Sequence, residues 1–437
     1  MNSFPSLHSH RENTDFNIWS LLRDIHRDCK SVDTGLSLTA NENVMSRLSS
    51  SMLSTALESR YHLGDDCGST TLASKGGLLY RRLTGVMALE SAAREAALKM
   101  LSASHIDFRP LSGVHAMNTT LLSVTEPGDA IYSFSPAAGG HFATANILKR
   151  AARYSRYLPW DPANFDIDFS RLAEDIKENG RPKLVFLDHG ATLFPLNIRK
   201  LRALVGAHAL IAYDVSHTLG LIFGGEFQSP LRDGCDILQG NTHKSFPGPQ
   251  KAMIAFRDQE IGAKVSKAMD DGLVSSQHTH HSAALYLAIL EMEQYGRAYA
   301  QQMIKNAKAL ANELGAQGFS LISRKGESTN SHVVLINACG ELPVRSACEQ
   351  LMRAGISTNS RPFQGQDILR FGVQELTRRG MKEAEMTKIA CLMARLLLKD
   401  EDAPSIKKEV FELRQRFNKV HFSFDDDLSN SSIILMN

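Results

Sequence analysis

Short apolar runs recur along the middle of the chain, and stretches with helical periodicity lie between them. The runs that we interpret as strands are 130–134, 183–188, 209–213, 236–238 and 253–256, with a helix predicted over 199–205. Buried parallel strands are apolar on both faces and are joined by helices, so this alternation is typical of a mainly parallel sheet covered on both sides. The pattern predicts an α/β fold, in which ligands bind beyond the carboxyl ends of the strands.

Beyond residue 283 the pattern predicts a smaller α+β unit. A strongly helical stretch, 283–314, precedes strands at 333–336 and 368–372 and a helix over 344–353. We expect an amphipathic helix over 381–398 with Thr377 as its N-cap, and a last helix over 407–417. We therefore divide the chain into an N-terminal arm (1–47), a large domain (48–300) and a small C-terminal domain (301–437).

The N-terminal arm contains an amphipathic stretch near residues 18–25. Trp19, Leu22 and Ile25 would share one face of a helix there. Because an isolated helix this short is marginal, we expect it to pack against another surface, such as a partner subunit. The extended segment 36–43 follows, and Asn43 is a candidate cap for a helix that begins at Val44.

The composition of the 437-residue chain narrows the classes of function. Its hydrophobic content of 43% is ordinary for a globular protein, and its net charge of +2 argues against an electrostatic partner such as nucleic acid. No apolar run reaches the roughly 18 residues of a membrane helix, and the N-terminus lacks the basic and apolar regions of a secretory signal. The six cysteines are scattered without metal or disulfide spacing. We expect a reduced, cytoplasmic setting.

Two predicted strand ends carry side chains suited to one cofactor. Lys244 follows the run 236–238, and an apolar surrounding lowers a lysine's pKa by desolvation, which leaves a neutral amine that can attack an aldehyde. Asp214 follows the run 209–213, with His217 three residues later. An Asp at a strand end is otherwise often a turn former or a helix cap. A lysine that forms a Schiff base, with an Asp to hold a pyridinium nitrogen, is the pair that pyridoxal 5'-phosphate (PLP) requires.

These residues lie in motifs that resemble the serine hydroxymethyltransferase family. The resemblance runs from about residue 36 to residue 400 and includes Asp214-x-x-His217, Thr242-His243-Lys244 and Gly248-Pro249. It implies PLP fold type I (aspartate aminotransferase-like), with a large mainly parallel-sheet domain and a small α+β domain, and a homodimer with shared active sites. Four motifs are similar to the L-threonine transaldolase branch of the family: Leu38-Thr39-Ala40-Asn41-Glu42-Asn43, Gly139-Gly140-His141-Phe142, Gly240-Asn241-Thr242-His243-Lys244 and Thr377-Arg378-Arg379-Gly380.

The resemblance implies roles toward PLP for individual residues. Lys244 would form the Schiff base, Asp214 would keep the pyridine nitrogen protonated, and His141 would stack on the ring and relay a proton. Ser112 and Gly113 open a predicted helix whose N-terminus suits a phosphate, although a Ser-Gly pair alone is usually only a cap. Val114 replaces a second hydroxyl, so only its backbone N–H can donate. The cofactor-binding residues so implied are Ser112, Gly113, Val114, His141, Asp214, His217, Thr242, His243 and Lys244.

Three residues are implied to contact the substrate. Arg370, flanked by apolar residues on a predicted strand, matches the family arginine that holds the α-carboxylate, and a planar guanidinium suits a carboxylate better than an ammonium. Asn41 lies in the segment that closes over the substrate, where a serine is usual. Tyr61 matches the tyrosine that reaches a neighbouring active site. The residues implied to be catalytic are Lys244, His141, Asp214, His217 and Tyr61.

Two departures from the family pattern favour the transaldolase branch. Leu63 stands where the hydroxymethyltransferases carry a glutamate that serves the folate-linked step, and an alkyl chain can neither donate nor accept a proton. Gln250 replaces the usual arginine after Gly248-Pro249, as in the transaldolases. A third feature, the cluster His278, His280 and His281, could bind zinc, but no further ligand lies at a partnering spacing. We therefore expect no metal.

The preferred function is L-threonine transaldolase. L-Threonine and an aldehyde would give acetaldehyde and a new β-hydroxy-α-amino acid. The alternatives are a folate-dependent serine hydroxymethyltransferase and a threonine or phenylserine aldolase, and a catalytically silent homologue would show no bound PLP. The expected partners are a small-molecule amino acid and an aldehyde, with neither nucleic acid nor a membrane.

Overall fold

The computed structural model of the protein describes residues 18–62, 67–338, 340 and 342–425. Its helices are α1 (Ile18–Thr34), α2 (Arg47–Ser51), α3 (Thr84–Leu101), α4 (Gly113–Val124), α5 (Thr144–Arg150), α6 (Phe169–Asn179), α7 (Ile198–Val205), α8 (Leu219–Phe223), α9 (Pro230–Asp233), α10 (Gln259–Ala268), α11 (Thr279–Ala316), α12 (Val344–Arg353), α13 (Gln374–Arg378), α14 (Glu383–Leu398) and α15 (Ala403–Gln415). No helix in these ranges is long and apolar enough to span a membrane.

The strands form one large sheet, one smaller sheet and three isolated pairs. They are β1 (Leu36–Ser37), β2 (Leu72–Lys75), β3 (Leu78–Arg81), β4 (His105–Asp107), β5 (Ala130–Ser133), β6 (Tyr154–Tyr157), β7 (Trp160–Asp161), β8 (Asp166–Ile167), β9 (Leu184–Leu187), β10 (Leu210–Asp214), β11 (Ile237–Asn241), β12 (Ala252–Phe256), β13 (Ser320–Leu321), β14 (Val333–Ala338), β15 (Ile356–Ser357), β16 (Asn359–Phe363) and β17 (Gln366–Gly372).

The large sheet has seven strands in the order β4-β12-β11-β10-β9-β5-β6. Strand β12 runs antiparallel to the other six, which are parallel to one another. Both faces are covered, because alternate residues of one strand enter different cores. Val185 and Leu187 of β9 join the core under α3, α7 and α11, whereas Leu184 and Phe186 join the core under α4 and α10. The prediction of a mainly parallel α/β sheet is confirmed.

The smaller sheet is antiparallel, in the order β13-β14-β17-β16, and packs against α12, α14 and α15. β1 pairs in parallel with β15, which ties the segment after α1 to this part of the molecule. α11 runs unbroken across residue 300, where we placed the boundary between the large and small domains. That boundary stays a prediction.

Three local expectations are corrected by the structure. Asn43 does not cap a helix at Val44, because α2 begins at Arg47 and Ser46 caps it by accepting a hydrogen bond from Ser49 N. Thr377 is not an N-cap either: it lies inside α13, and its hydroxyl donates to the Val373 carbonyl at 2.7 Å. The long helix α14 instead begins after Lys382, whose backbone N–H donates to the Glu385 carboxylate at 2.9 Å.

Helix α1 forms where the amphipathic pattern predicts it and extends to Thr34. None of its residues is buried against the chain, and its apolar side chains, among them Trp19 at 69% exposure, face outward. Within the described residues of a single chain, this helix contacts α15 but buries none of its own residues.

Candidate active site

A cavity of about 580 Å³ opens at the edge of the large sheet where β10 and β11 end. This is the position that parallel α/β sheets use for ligands. Sequence-predicted residues that line it are Asn41, Gly113, Val114, His141, Asp214, His217, Lys244 and Arg370. Residues that line it and were not predicted include Asp188, His189, Gly190, Ser216, Asn241 and Arg361.

One side of the cavity, which we call the lysine wall, consists of Lys244, Asp214 and His217. The Lys244 Nζ lies 3.4 Å from His217 Nε2. Burial lowers the pKa of Lys244 to about 8, against the opposing effect of the Asp214 charge. Burial also holds the pKa of His217 well below its usual value, so this imidazole is neutral. The wall therefore offers an amine that is more readily neutral than that of an exposed lysine, as expected from the sequence.

The Asp214 carboxylate is fixed by neighbours that the sequence analysis did not single out. Its Oδ1 accepts from Ser216 N at 3.0 Å, and its Oδ2 accepts from Gln239 Nε2 at 3.0 Å. Gln239 is in turn held by the Thr120 hydroxyl, which donates to Gln239 Oε1 at 2.7 Å. The orientation of Asp214 toward the cavity thus depends on a buried chain of hydrogen bonds that crosses from α4 to β11.

Asn43 holds the main chain at the lysine. Its side-chain amide donates to the Lys244 carbonyl at 2.7 Å and contacts the Tyr299 hydroxyl at 3.0 Å. The segment that precedes α2 is thereby attached to the loop after β11. This contact replaces the capping role that the sequence favoured for Asn43.

His141 also lines the cavity. Burial lowers its pKa, and its Nδ1 accepts from Ala143 N at 3.2 Å, which places the ring proton on Nε2. Its ring stacks on Phe142 with centroids 4.7 Å apart. Its backbone N–H donates to Asp188 Oδ2 at 3.1 Å. His141 therefore presents a donor nitrogen on a backbone that a buried carboxylate holds.

Asp188 is a functional residue that the sequence analysis missed. Its carboxylate also accepts from Phe134 N at 3.0 Å and from the Thr144 hydroxyl at 2.6 Å, and burial raises its pKa to about 7. Asp188 ends a predicted strand in the same way as Asp214. That signal was available in the sequence, but no motif distinguished Asp188 from an ordinary turn residue.

The start of α4 forms another part of the cavity. Ser112 caps the helix by accepting from His115 N at 3.2 Å and does not line the cavity, whereas Gly113 and Val114 do. Gly113 N donates to Asn241 Oδ1 at 2.7 Å, and a Cβ at Gly113 would collide with that side chain. The positive end of a helix is suited to a phosphate, and in this structure the Asn241 side chain accepts from the Gly113 N–H at that end.

A second part of the lining, which we call the arginine wall, consists of Arg370, Arg361 and Asn41, together with Asn359, which contacts Arg370 and Asn41. Arg370 is 8% exposed, and burial lowers its pKa to about 9. Three neutral acceptors orient its guanidinium: Asn359 Oδ1 at 3.0 Å, the Gly190 carbonyl at 3.0 Å and Asn41 Oδ1 at 3.3 Å. Arg370 is thus preorganised and retains its charge for an anion.

Other sequence-predicted residues lie outside the cavity. The Thr242 hydroxyl is buried and donates to the Pro249 carbonyl at 2.7 Å. His243 neighbours the lysine, and burial lowers its pKa to about 4. Tyr61 is 53% exposed and packs on Tyr80, with ring centroids 5.6 Å apart. Leu63, on which part of the argument against folate chemistry depends, lies outside the described residues.

The histidine cluster and Gln250 are also separate from the cavity. Gln250 is exposed. The rings of His280 and His281 lie 4.5 Å apart, and His278 lies 5.8 Å from His281. Within the described part of the chain, no group of three His, Cys, Asp or Glu side chains is placed so that it could hold a metal ion.

Comparison with known proteins identifies the family. The family model described as serine hydroxymethyltransferase matches residues 12–393. The chain belongs to the serine hydroxymethyltransferase family. Its members use PLP, and the cavity fits that cofactor: it combines a lysine of lowered pKa, a fixed carboxylate and a helix N-terminus. The chain is therefore a PLP-dependent enzyme of the transferase type with PLP fold type I.

Individual relatives within this family differ in their named activity. The chain is 39% identical over 394 residues to a fluorothreonine transaldolase from Streptantibioticus cattleyicolor. The alignment covers 89% of this chain but only 61% of that protein. It is 33% identical over 405 residues to a serine hydroxymethyltransferase from Methanocella arvoryzae. That alignment covers 90% of this chain and 93% of the relative.

A solved structure is similar to this chain over nearly its whole length. It is an L-threonine transaldolase from Pseudomonas fluorescens in the internal aldimine state, with a TM-score of 0.86 and 30% sequence identity. The alignment covers 94% of this chain and 95% of that chain. The expected fold, family and cofactor are confirmed, and the roles of single residues stay predictions.

Proposed function

We propose that this enzyme is an L-threonine transaldolase. It cleaves the Cα–Cβ bond of L-threonine, releases acetaldehyde and joins the remaining glycine unit to a second aldehyde, which gives a new β-hydroxy-α-amino acid. The observation that carries the proposal is the convergence of Lys244, Asp214, His141 and Arg370 on one cavity. Relatives named as transaldolases, at 39% and 30% identity, support this branch of the family.

PLP, when bound, supplies the electron sink for the pair of electrons that bond cleavage leaves on Cα. Lys244 would hold the cofactor through its Nζ, and the lowered pKa keeps more of that amine neutral. Asp214, fixed by Ser216 N and Gln239, would hold a proton on the pyridine nitrogen. Gly113 and Val114 at the start of α4 would bind the phosphate, while Ser112 shapes the helix end. His217, Thr242 and His243 would support the cofactor from the lysine side.

Arg370 and Asn41 would bind the α-carboxylate of the amino acid. The orientation of that carboxylate decides which Cα bond stands perpendicular to the cofactor ring and therefore which bond breaks. His141, with its proton on Nε2, would stack on the ring and donate a hydrogen bond from Nε2 to the β-oxygen of the substrate. These residues bind and orient the substrate.

The experiment compares two substrate mixtures with the purified holoenzyme. L-Threonine with benzaldehyde should give acetaldehyde and phenylserine, whereas L-serine with tetrahydrofolate should give little methylenetetrahydrofolate. Efficient folate-dependent transfer from serine would reject the proposal in favour of hydroxymethyltransferase activity. Acetaldehyde and free glycine in equal amounts, with no phenylserine, would identify an aldolase. Absence of a PLP absorption band would indicate a silent homologue.

We also propose a homodimer in the cytoplasm in which Tyr61 serves the partner's cavity. Tyr61 is half exposed and lies outside the cavity of its own chain, and α1 has no buried residue, so both are available to a second copy. Coexpression tests the shared site. Tyr61→Ala and Lys244→Ala homodimers should both be nearly inactive, and mixed dimers should regain activity at one site. No recovery on mixing would show that each chain works alone.

A further inference from the structure

In the proposed reaction, Lys244 holds PLP and Arg370 binds the α-carboxylate, which leaves one further cation of the cavity, Arg361, without a ligand. Arg361, on β16, lines the cavity together with Arg370 and Lys244. Its guanidinium makes two hydrogen bonds, both near the limit of length: Nε to the Pro362 carbonyl at 3.4 Å and Nη2 to the Gly140 carbonyl at 3.5 Å. Among the described residues, no carboxylate forms an ion pair with it.

The position of Arg361 shows that its charge acts inside the site. Its Nη1 lies over Gly190, where an added Cβ would be 2.8 Å from that nitrogen and 3.6 Å from His217 Nε2. Its charge also lowers the pKa values of Arg370 and Lys244. Cations this close repel each other unless an anion lies between them or beside them.

The carboxylates near Arg361 are already occupied. Asp188 is the carboxylate whose charge acts on Arg361, and it accepts hydrogen bonds from Phe134 N, His141 N and the Thr144 hydroxyl. An amino-acid substrate brings one carboxylate, and Arg370, oriented by Asn41 and Asn359, is built to hold it. Arg361 therefore retains N–H donors for a further anionic group.

The surroundings of Arg361 indicate which ligand brings that group. It shares the cavity with Pro362, Pro136, Ala137 and the ring of Phe142, which is 75% exposed. This apolar rim suits a hydrocarbon portion next to an anion. The start of α4, to which we assign the phosphate, presents backbone N–H groups instead of apolar side chains. The rim next to His141 is where an incoming aldehyde has room.

We propose that Arg361 is the specificity-determining residue for the acceptor, and that the acceptor is an aldehyde that carries a carboxylate on a hydrophobic body. This inference rests on the proposed transaldolase function. The guanidinium binds the acceptor carboxylate and holds the carbonyl carbon toward the reacting Cα. Arg370 keeps the carboxylate of the donor.

The test compares two acceptors of nearly equal shape, 4-formylbenzoate and 4-formylbenzamide, with L-threonine as donor. The wild-type enzyme should favour the benzoate in kcat/KM. Arg361→Met should lower the benzoate-to-benzamide ratio of kcat/KM by about 10- to 100-fold, as expected for loss of a charged hydrogen bond. Arg361→Lys should recover part of the preference, and Arg345→Met, at an exposed site on α12, should leave the ratio unchanged.

Three results would overturn the inference. An unchanged benzoate-to-benzamide ratio in Arg361→Met would show that the residue does not read the acceptor charge. A raised KM for L-threonine in the absence of acceptor would place Arg361 on the donor carboxylate, and faster loss of PLP on dialysis would place it on the phosphate. Calorimetry with 4-formylbenzoate and the holoenzyme measures the same contact without turnover, so failure of the transaldolase reaction itself, seen as no acetaldehyde from the wild type, stays distinguishable. Equal dissociation constants for wild type and Arg361→Met would also overturn the inference.

Discussion

The two walls of the cavity are built differently. On the lysine wall, Asp214 and Lys244 lie at or just beyond the ends of neighbouring parallel strands, so the large sheet itself sets their spacing. On the arginine wall, Arg361 and Arg370 come from the antiparallel strands β16 and β17, and Asn41 comes from a separate segment. The first wall depends on one rigid sheet, and the second is assembled from three parts of the chain.

This difference separates chemistry from recognition. The lysine wall contains a neutralisable amine and a carboxylate, the groups that PLP needs whatever the substrate. The arginine wall contains two cations with only neutral acceptors around Arg370, so its charges are directed to ligands. Changes in the first wall should abolish every reaction, and changes in the second should alter which substrates bind.

The largest effect should follow from Lys244→Ala. Removal of the amine that holds PLP should lower acetaldehyde release from L-threonine by roughly 10³-fold or more, with every acceptor affected equally. A coupled dehydrogenase assay measures the rate, and the visible absorption band should change with it. Lys267→Ala, at an exposed lysine on α10, is the matched control. If Lys244→Ala kept substantial activity, the lysine wall would lose its assigned chemistry.

Arg370→Lys should have a smaller and more selective effect. The lysine keeps the charge but cannot reproduce the planar fork, so KM for L-threonine should rise by about 10- to 100-fold while the preference among acceptors stays constant. Steady-state kinetics with two acceptors of different charge would measure the KM for L-threonine and the acceptor preference separately. A changed acceptor preference with normal KM for L-threonine would exchange the roles that we give to the two arginines.

Asp188→Asn tests whether titration of the Asp188 carboxyl group makes the stability of the protein depend on pH. The pKa of Asp188 is raised to about 7 in the fold, whereas the unfolded carboxyl titrates near 4. Between these values the folded state binds the extra proton, so stability falls as pH rises from about 4 to 7 and then levels off. From pH 5 to pH 8 the wild type should lose on the order of 2 kcal/mol relative to the Asn variant.

Thermal denaturation of the holoenzyme at both pH values measures that change. The Tm of Asp188→Asn minus that of the wild type should be more positive at pH 8 than at pH 5. A difference that is constant across this range would mean that Asp188 does not titrate there and acts only by its hydrogen bonds to the His141 backbone and its neighbours.

Ser112→Ala should have the smallest effect. The hydroxyl caps α4, so its loss should cost about 1 kcal/mol of stability, with a modest fall in PLP affinity because the helix end frays. Differential scanning fluorimetry and dialysis against buffer without PLP would report the two quantities. A large loss of PLP with unchanged Tm would show that Ser112 contacts the phosphate directly.

The sequence indicated residues of both walls: Asp214, His217 and Lys244 of the lysine wall, and Arg370 and Asn41 of the arginine wall. The first three follow apolar runs that are typical of buried strands, and parallel strands bring their ends together. Arg361 carries no such signal, because β16 is an edge strand with mixed polarity and its approach to Gly190 depends on how the two sheets meet. Asp188 had the strand-end signal, but its three hydrogen bonds come from residues far apart in the sequence.

The sequence also did not predict which residues cap the helices. Asn43 and Thr377 have side chains that favour helix starts, yet Asn43 donates to the Lys244 carbonyl and Thr377 accepts from the Asn306 side chain. The fold class and the cofactor depended on repeated patterns and survived these errors. Single-residue roles depend on long-range packing and needed the structure.

The most direct test of the central claim follows the fate of the Cα atom. L-Threonine labelled with ¹³C at Cα is incubated with the holoenzyme and benzaldehyde, and the products are measured by mass spectrometry. The transaldolase account predicts labelled phenylserine and one acetaldehyde for each molecule formed. Label recovered only as glycine, whatever the aldehyde concentration, would contradict it and identify an aldolase.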